Sequence, residues 1–348
     1  MFNLDLLIRP NIKTLKPYSS ARSEFSGEAQ IYLDANENSL GSPIPTAYNR
    51  YPDPLQWELK KKISVIKNTS AENILIGNGS DECIDLVIRA FCNPKEDNII
   101  ICPPTYGMYE VFANINDVGI KQVPLLETYH LDLNGIEEAI DANTKIIFLC
   151  SPNNPTGNSL DREDIEIILN NFDGLVVVDE AYINYSRFRS FINDLPEYPN
   201  LVILQTFSKA WGLAALRLGL AYASQEIISI LNNIKPPYNI NAATQEIAME
   251  ALDHLDKVNE MIRETVTERE TLKAALVELP IVQKVYPSDA NFLLVKVDNA
   301  IKTYNHLKAK GIIVRNRSNV ILCENCIRIT VGTPEENQQL INVLKEIQ

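Results

Sequence analysis

With 348 residues, 45% hydrophobic and 22% charged, the chain has the make-up of a water-soluble globular protein that exceeds one compact core, so two domains are expected. Its formal charge of −13 argues against nucleic acid or an anionic membrane as the main partner, so an anionic ligand must meet a local cluster of Arg and Lys. No apolar run reaches the roughly 18 residues of a transmembrane helix. The amino end, with Asp5 inside its apolar run and no basic stretch, lacks the pattern of a signal peptide, and a cytoplasmic protein is expected.

Residues 1 to about 30 are broken by Pro10 and Pro17 and read as an irregular arm. A short strand is expected at 31–34, ahead of the polar loop Asn36-Glu37-Asn38. Tyr51-Pro52-Asp53-Pro54 is a turn, since each proline forces the residue before it out of helical backbone. A helix of mixed charge follows over 55–67. Strand and helix then alternate, with apolar runs at 74–76, 99–101, 146–150, 175–178, 201–204 and 218–222 and helical stretches at 81–91, 106–114 and 162–170. This is the pattern of an α/β fold with a mostly parallel sheet and helical crossovers. Unbroken β-branched runs suit strands covered on both faces. After Pro236-Pro237 the texture changes. Ala248, Leu252, Leu255, Ile262 and Val266 mark one face of a long helix within 240–278. A smaller α+β region follows, with strands near 292–297, 312–314 and 327–331. Thr333-Pro334-Glu335-Glu336 opens the last helix with a capping box. The expected division is a large domain over 45–240 and a small one built from both chain ends, 1–44 and 241–348.

The chemistry concentrates between Gln205 and Gly219. Lys209 directly follows a buried strand, where burial disfavours its ammonium form and leaves an amine able to attack a carbonyl carbon. Arg217 is a fixed cationic fork suited to phosphate. An amine for an aldehyde beside a fork for a phosphate describes the two ends of pyridoxal phosphate. Gly77-Asn78-Gly79-Ser80-Asp81 joins a strand to a helix and offers free N–H groups to a phosphate; as a dinucleotide fingerprint it fails, because Glu82 stands where glycine is required. Asp179 ends the run 175–178, where a carboxylate can keep a pyridinium nitrogen protonated. The alternative, an ATPase magnesium strand, lacks any Gly-Lys pair. Asn154, in the loop Ser151–Gly157, supplies an amide donor. Asn154, Asp179 and Lys209 lie 25 and 30 residues apart, each about one βαβ unit, so all three meet at the carboxyl edge of one parallel sheet. The six cysteines include one lone CxxC, Cys323 and Cys326, with no second ligand pair, so reduced thiols and no metal are expected. His130, His254 and His306 lie far from these motifs and leave a hydrolase triad without support.

With these residues together, nearly the whole chain resembles the class II, fold type I pyridoxal-phosphate-dependent aminotransferases. The likeness runs from Leu33-Asp-Ala-Asn-Glu-Asn38 through Tyr51–Pro54, Gly77–Glu82, Ser151–Gly157, Val178–Tyr182 and Ser208–Arg217 to Arg328–Thr333. Within that family it is most similar to the members that act on histidinol phosphate with glutamate or 2-oxoglutarate. A threonine-phosphate decarboxylase-like lyase and a broad aromatic aminotransferase are the alternatives. The resemblance implies that Lys209 anchors the cofactor and moves the substrate proton. It implies that Asp179 pairs with the ring nitrogen, that Asn154 and Tyr182 donate to the phenolic oxygen, and that Tyr106 stacks on the ring. Gly79, Ser80, Asp81, Ser208 and Arg217 then cradle the phosphate. Tyr51 reaches the phosphate of the other subunit in a homodimer with shared sites, and Tyr18, Asn36, Arg315 and Arg328 line the substrate pocket.

Overall fold

The computed structural model describes residues 2–18 and 29–347. Seven strands form one sheet in the order β1-β7-β6-β5-β4-β2-β3. They are β1 (Ile74–Asn78), β2 (Asn98–Ile101), β3 (Gly119–Gln122), β4 (Thr144–Cys150), β5 (Leu175–Asp179), β6 (Leu201–Thr206) and β7 (Leu218–Tyr222). β7 runs antiparallel to its neighbours β1 and β6, and the remaining pairs are parallel. Helices cover both faces. Val176 and Val178 join one apolar core with Ile147 and Ile203, while Leu175 and Val177 join a second with Phe148 and Val202. That alternation is the period of a strand, and burial on both sides explains the unbroken apolar runs.

The carboxyl ends of the central strands are level. Cys150 lies opposite Asp179, and Asp179 opposite Leu204. The loop after β4, the end of β5 and the turn after β6 therefore open on one edge. Because β7 doubles back beside β6, residues 207–217 are a hairpin-like return whose ends are tied by the Phe207 amide donating to Leu218 O at 3.0 Å.

A second sheet, β10-β11-β9-β8, is antiparallel and comprises β8 (Val282–Val285), β9 (Phe292–Val297), β10 (Arg315–Asn316) and β11 (Cys326–Thr330). With helices Leu255–Val277, Ala300–Ala309 and Pro334–Leu344 it encloses its own core, including Leu272, Leu293, Leu307, Ile327 and Ile341. A smaller cluster, Tyr182, Tyr185, Ala210, Ala290 and Phe292, joins the two sheets beside Lys209.

Several expectations need correction. Residues 31–34 form no strand; Tyr32 O accepts instead from Arg50 Nη1 at 3.3 Å, and the segment has no ladder partner among the described residues. The strand expected at 312–314 lies at Arg315–Asn316, where its pairing with β11 begins. The long segment 240–278 is two helices, Ala242–Ala251 and Leu255–Val277, separated by a 3₁₀ turn over Leu252–His254. Among the described residues, the start of the chain packs on the large sheet. Leu7 is buried in the second core of the large sheet, and Arg9 binds the carboxyl end of the helix Gly79–Phe91, its amide reaching Ala90 O at 3.1 Å and Nη1 reaching Arg89 O at 2.7 Å. All six cysteines are buried and unpaired. Among the described residues no helix is long and apolar enough to cross a membrane.

Candidate active site

Lys209 occupies the turn immediately after β6, beside the buried Ala210 and Trp211. Burial, and next the charge of Arg328, hold its amine below the usual lysine range, with Asp179 opposing. Its Nζ lies 5.4 Å from the centroid of the Tyr182 ring, itself 6% exposed. Asp179, 3% exposed, is held on both oxygens: Tyr109 Oη donates to Oδ2 at 2.7 Å and the Ala181 amide to Oδ1 at 3.1 Å. Burial still raises its carboxyl above the usual range, and these donors oppose the shift. A carboxylate so placed calls for a cationic partner.

The helix Gly79–Phe91 starts at the same edge. The Gly79 amide is already used, donating to Arg217 O, so Gly79 contributes space and not a donor. A Cβ on Gly79, at φ +72°, would stand 2.7 Å from Arg217 Nη2, and one on Gly219 would stand 2.0 Å from the Ser80 amide nitrogen. The amides of Ser80 and Asp81 have no protein acceptor among the described hydrogen bonds. With Arg217, which adopts left-handed backbone at φ +54°, and the half-buried Ser208, they frame a cradle for a phosphate-sized anion. Asp81 works through its side chain: Oδ1 accepts from Tyr106 Oη at 3.0 Å and Oδ2 pairs with Arg217 Nη2 at 3.3 Å. Tyr106 packs edge-on against Tyr109, with ring centroids 5.6 Å apart at 84°.

The second sheet contributes Arg328. Its Nη1 donates to Asn154 Oδ1, which leaves the Asn154 NH₂ free to donate elsewhere, and its guanidinium lies 5.1 Å from the Phe292 ring. Arg315 faces Arg328 across the β10–β11 ladder. Lys209, Asp179, Asn154, Tyr182 and Arg328 thus converge. Tyr51 is half-exposed, stacks on Tyr238 at 4.4 Å, and makes no hydrogen bond to this cluster among the described residues. Asn36 is exposed in left-handed backbone at φ +53°. Tyr18 lines a separate cavity of about 590 Å³ with Trp57, Lys60 and Lys235. Neither residue hydrogen-bonds to the Lys209 cluster among the described residues.

Two residues escaped the sequence reading. Tyr109 sits one helical turn after Tyr106, and that spacing was the available signal. Arg317 sits two residues after Arg315, the spacing that keeps a strand residue on the same face.

The aminotransferase class I and II family model matches residues 37–344. A histidinol-phosphate aminotransferase of Cytophaga hutchinsonii is 56% identical over 344 residues, covering 99% of each chain. The structure of L-threonine-O-3-phosphate decarboxylase from Porphyromonas gingivalis superposes with a TM-score of 0.73 at 27% identity, covering 86% of this chain and 93% of that one. That of histidinol-phosphate aminotransferase from Sinorhizobium meliloti in complex with pyridoxal-5'-phosphate gives 0.79 at 23% identity, covering 90% and 89%, a likeness of fold. A lysine, an aspartate and an arginine fork meeting at one sheet edge, within a match of this extent, place the chain in the aminotransferase class I and II family.

Proposed function

We propose that the protein is a pyridoxal-5'-phosphate-dependent aminotransferase of histidine biosynthesis. It moves an amino group from L-glutamate to imidazole acetol phosphate, giving 2-oxoglutarate and L-histidinol phosphate. The observation that carries the reading is the meeting of Lys209, after β6, with the buried carboxylate of Asp179, at the end of β5, and with Arg328, tied to the same edge through Asn154. The 56% identity to the Cytophaga hutchinsonii aminotransferase over nearly both full chains supports the substrate.

Bound pyridoxal phosphate supplies an aldehyde for the donor amine and a ring that can hold the electron pair released at the donor's Cα. Arg217, Ser208 and the amides of Ser80 and Asp81 bind its phosphate, in the cradle that a Cβ on Gly79 or Gly219 would fill. Asp179 keeps a proton on the ring nitrogen, its charge steadied by Tyr109 and Ala181. Asn154, with its oxygen occupied by Arg328, and Tyr182 donate to the phenolic oxygen. Tyr106, held by Asp81, would pack against the ring. Lys209 Nζ, its amine held below the usual lysine range by burial and next by Arg328, takes the proton from the donor's Cα and returns it. Arg328 and Arg315 bind the anionic end of either substrate bidentately.

The large domain spans 45–240, and the third apolar core, drawn from residues 272–344, supports a separate carboxyl-terminal unit. The protein works as a cytoplasmic homodimer in which Tyr51 serves the partner's phosphate site. The test is to incubate the protein with pyridoxal phosphate, histidinol phosphate and 2-oxoglutarate. Glutamate and imidazole acetol phosphate should form in equal amounts, and threonine phosphate should release no carbon dioxide. Carbon dioxide from threonine phosphate without glutamate formation from histidinol phosphate makes the protein a lyase instead.

A further inference from the structure

We propose that Arg317 is a third anion-binding arginine of this site and that it selects the phosphorylated substrate over glutamate. The inference rests on the histidinol-phosphate reading. β10 is short, but the ladder continues one step past it: the Arg317 amide donates to Cys326 O at 2.9 Å, in line with the pairing of Arg315 with Arg328. Alternate strand residues share a face, so Arg315, Arg317 and Arg328 all project on one side of the β10–β11 ribbon.

Three guanidiniums on one face repel one another, whereas several arginines elsewhere are compensated. Arg50, Arg89, Arg162 and Arg189 each have a carboxylate within ion-pair distance. Arg315, Arg317 and Arg328 have none among the described residues; Arg317 feels chiefly the charge of Arg315, and Arg328 feels that of Arg317 and, more weakly, that of Arg315. Arg317 is also half-buried, and its Nε is fully enclosed without an acceptor. Burial lowers its pKa, and Arg315 adds to the effect. A half-buried guanidinium with no carboxylate partner, beside two more, is an arrangement that an incoming anion of high charge relieves.

The chemistry of the two substrates then separates them. A carboxylate is planar, carries one charge and is satisfied by one fork. A phosphate monoester carries up to two charges on three terminal oxygens and can engage two or three forks at once. The far carboxylate of glutamate therefore gains little from a third arginine, and the phosphate of histidinol phosphate gains much.

The experiment uses the holoenzyme with Arg317→Gln and Arg317→Lys. The substrate-induced absorbance change gives Kd for histidinol phosphate, for unphosphorylated histidinol and for glutamate, and single-turnover rates are read for both half-reactions. We expect Arg317→Gln to weaken histidinol phosphate about tenfold, and glutamate and histidinol less than about threefold. Arg317→Lys should recover part of the loss, because the charge returns without the fork. Retained glutamate turnover reports an intact fold, and should Arg317→Gln fail to fold, Arg317→Lys alone decides. Equal weakening of both substrates, or none, in the folded variants overturns the selective role of Arg317. A wild-type enzyme inert toward histidinol phosphate overturns the substrate reading itself, and this proposal with it.

Discussion

Asp179 carries two opposing demands. Its burial favours the neutral acid, yet the proposed pairing with a pyridinium requires the anion. Tyr109, fully buried and stacked on Phe148 at 4.8 Å, resolves the conflict by donating from a fixed ring. Tyr109→Phe keeps that packing and removes only the donor. The Asp179 carboxyl should then rise further above its usual range, and cofactor affinity should fall about tenfold, the value of one hydrogen bond to a charged group. As pH is lowered, the variant should lose cofactor at a higher pH than the wild type, because its carboxyl protonates earlier. Cofactor titration of the apoprotein across pH checks this, and an unchanged profile would reduce Tyr109 to packing. The meeting of Lys209, Asp179 and Asn154 was legible in the sequence because Asp179 ends an apolar run and the other two lie in the loops that follow apolar runs. Tyr109 and Arg317 were not, since their roles depend on which carboxylate a helix faces and on the register of a two-residue strand.

At the scale of elements, the helix Trp57–Lys67 buries Leu59, Lys60 and Ile63 on one face. Lys60 is 1% exposed, its Nζ 5.3 Å from the Trp57 ring, and burial with the nearby charge of Lys235 lowers its pKa to about 8. The unfolded chain keeps this proton until near the ordinary lysine value while the folded chain releases it near 8. The penalty is therefore complete below pH 8 and is relieved as pH rises from there. Lys60→Met should stabilise the protein by about 1–3 kcal/mol at pH 7, and by much less near pH 10. Urea unfolding at the two pH values measures the difference, and a pH-independent gain rules the account out. Most elements were readable where the cause is local. Thr333 and Glu336 close the capping box that the sequence expects. The central strands are apolar on both faces and announced themselves. β3 and β8 are largely exposed and lack apolar runs, so nothing in their own residues marks them. Residues 31–34 carry a strand-like pattern, but no strand pairs with them in a ladder among the described residues.

At the scale of the whole molecule, the site lies where two sheets meet. Lys209 and Asp179 come from the first, Arg328 from the second, and the Arg328–Asn154 hydrogen bond ties them. In the function proposed above, Tyr51 is the exception, a residue that serves another chain. Tyr51→Phe and Lys209→Ala homodimers should each be impaired. Refolded together, they should regain part of the activity, because some heterodimers hold one site with both residues intact. No recovery, with heterodimers confirmed by mass, would place Tyr51 outside any shared site. The large domain was legible through its alternation of elements. The docking of the amino end on the large core was not, because a short helix with one buried leucine, Leu7, carries no mark of its destination.

The position of β1 has a consequence for how the molecule comes together and breathes. It is an outermost strand of the large sheet, its ladder partner β7 lies far along the chain, and it runs straight into the helix whose first amides form the phosphate cradle. Closing so long a loop is slow and entropically unfavourable, so β1 should be among the last strands to dock and the first to open. A phosphate held at its end would then act as a latch on that local opening. Hydrogen exchange of the Leu75 and Gly77 amides, which face β7, should slow markedly when cofactor is added, while the Val177 amide in the middle of the sheet changes little. Equal slowing at both strands would mean that the cofactor stabilises the fold globally and that the edge strand opens with the rest.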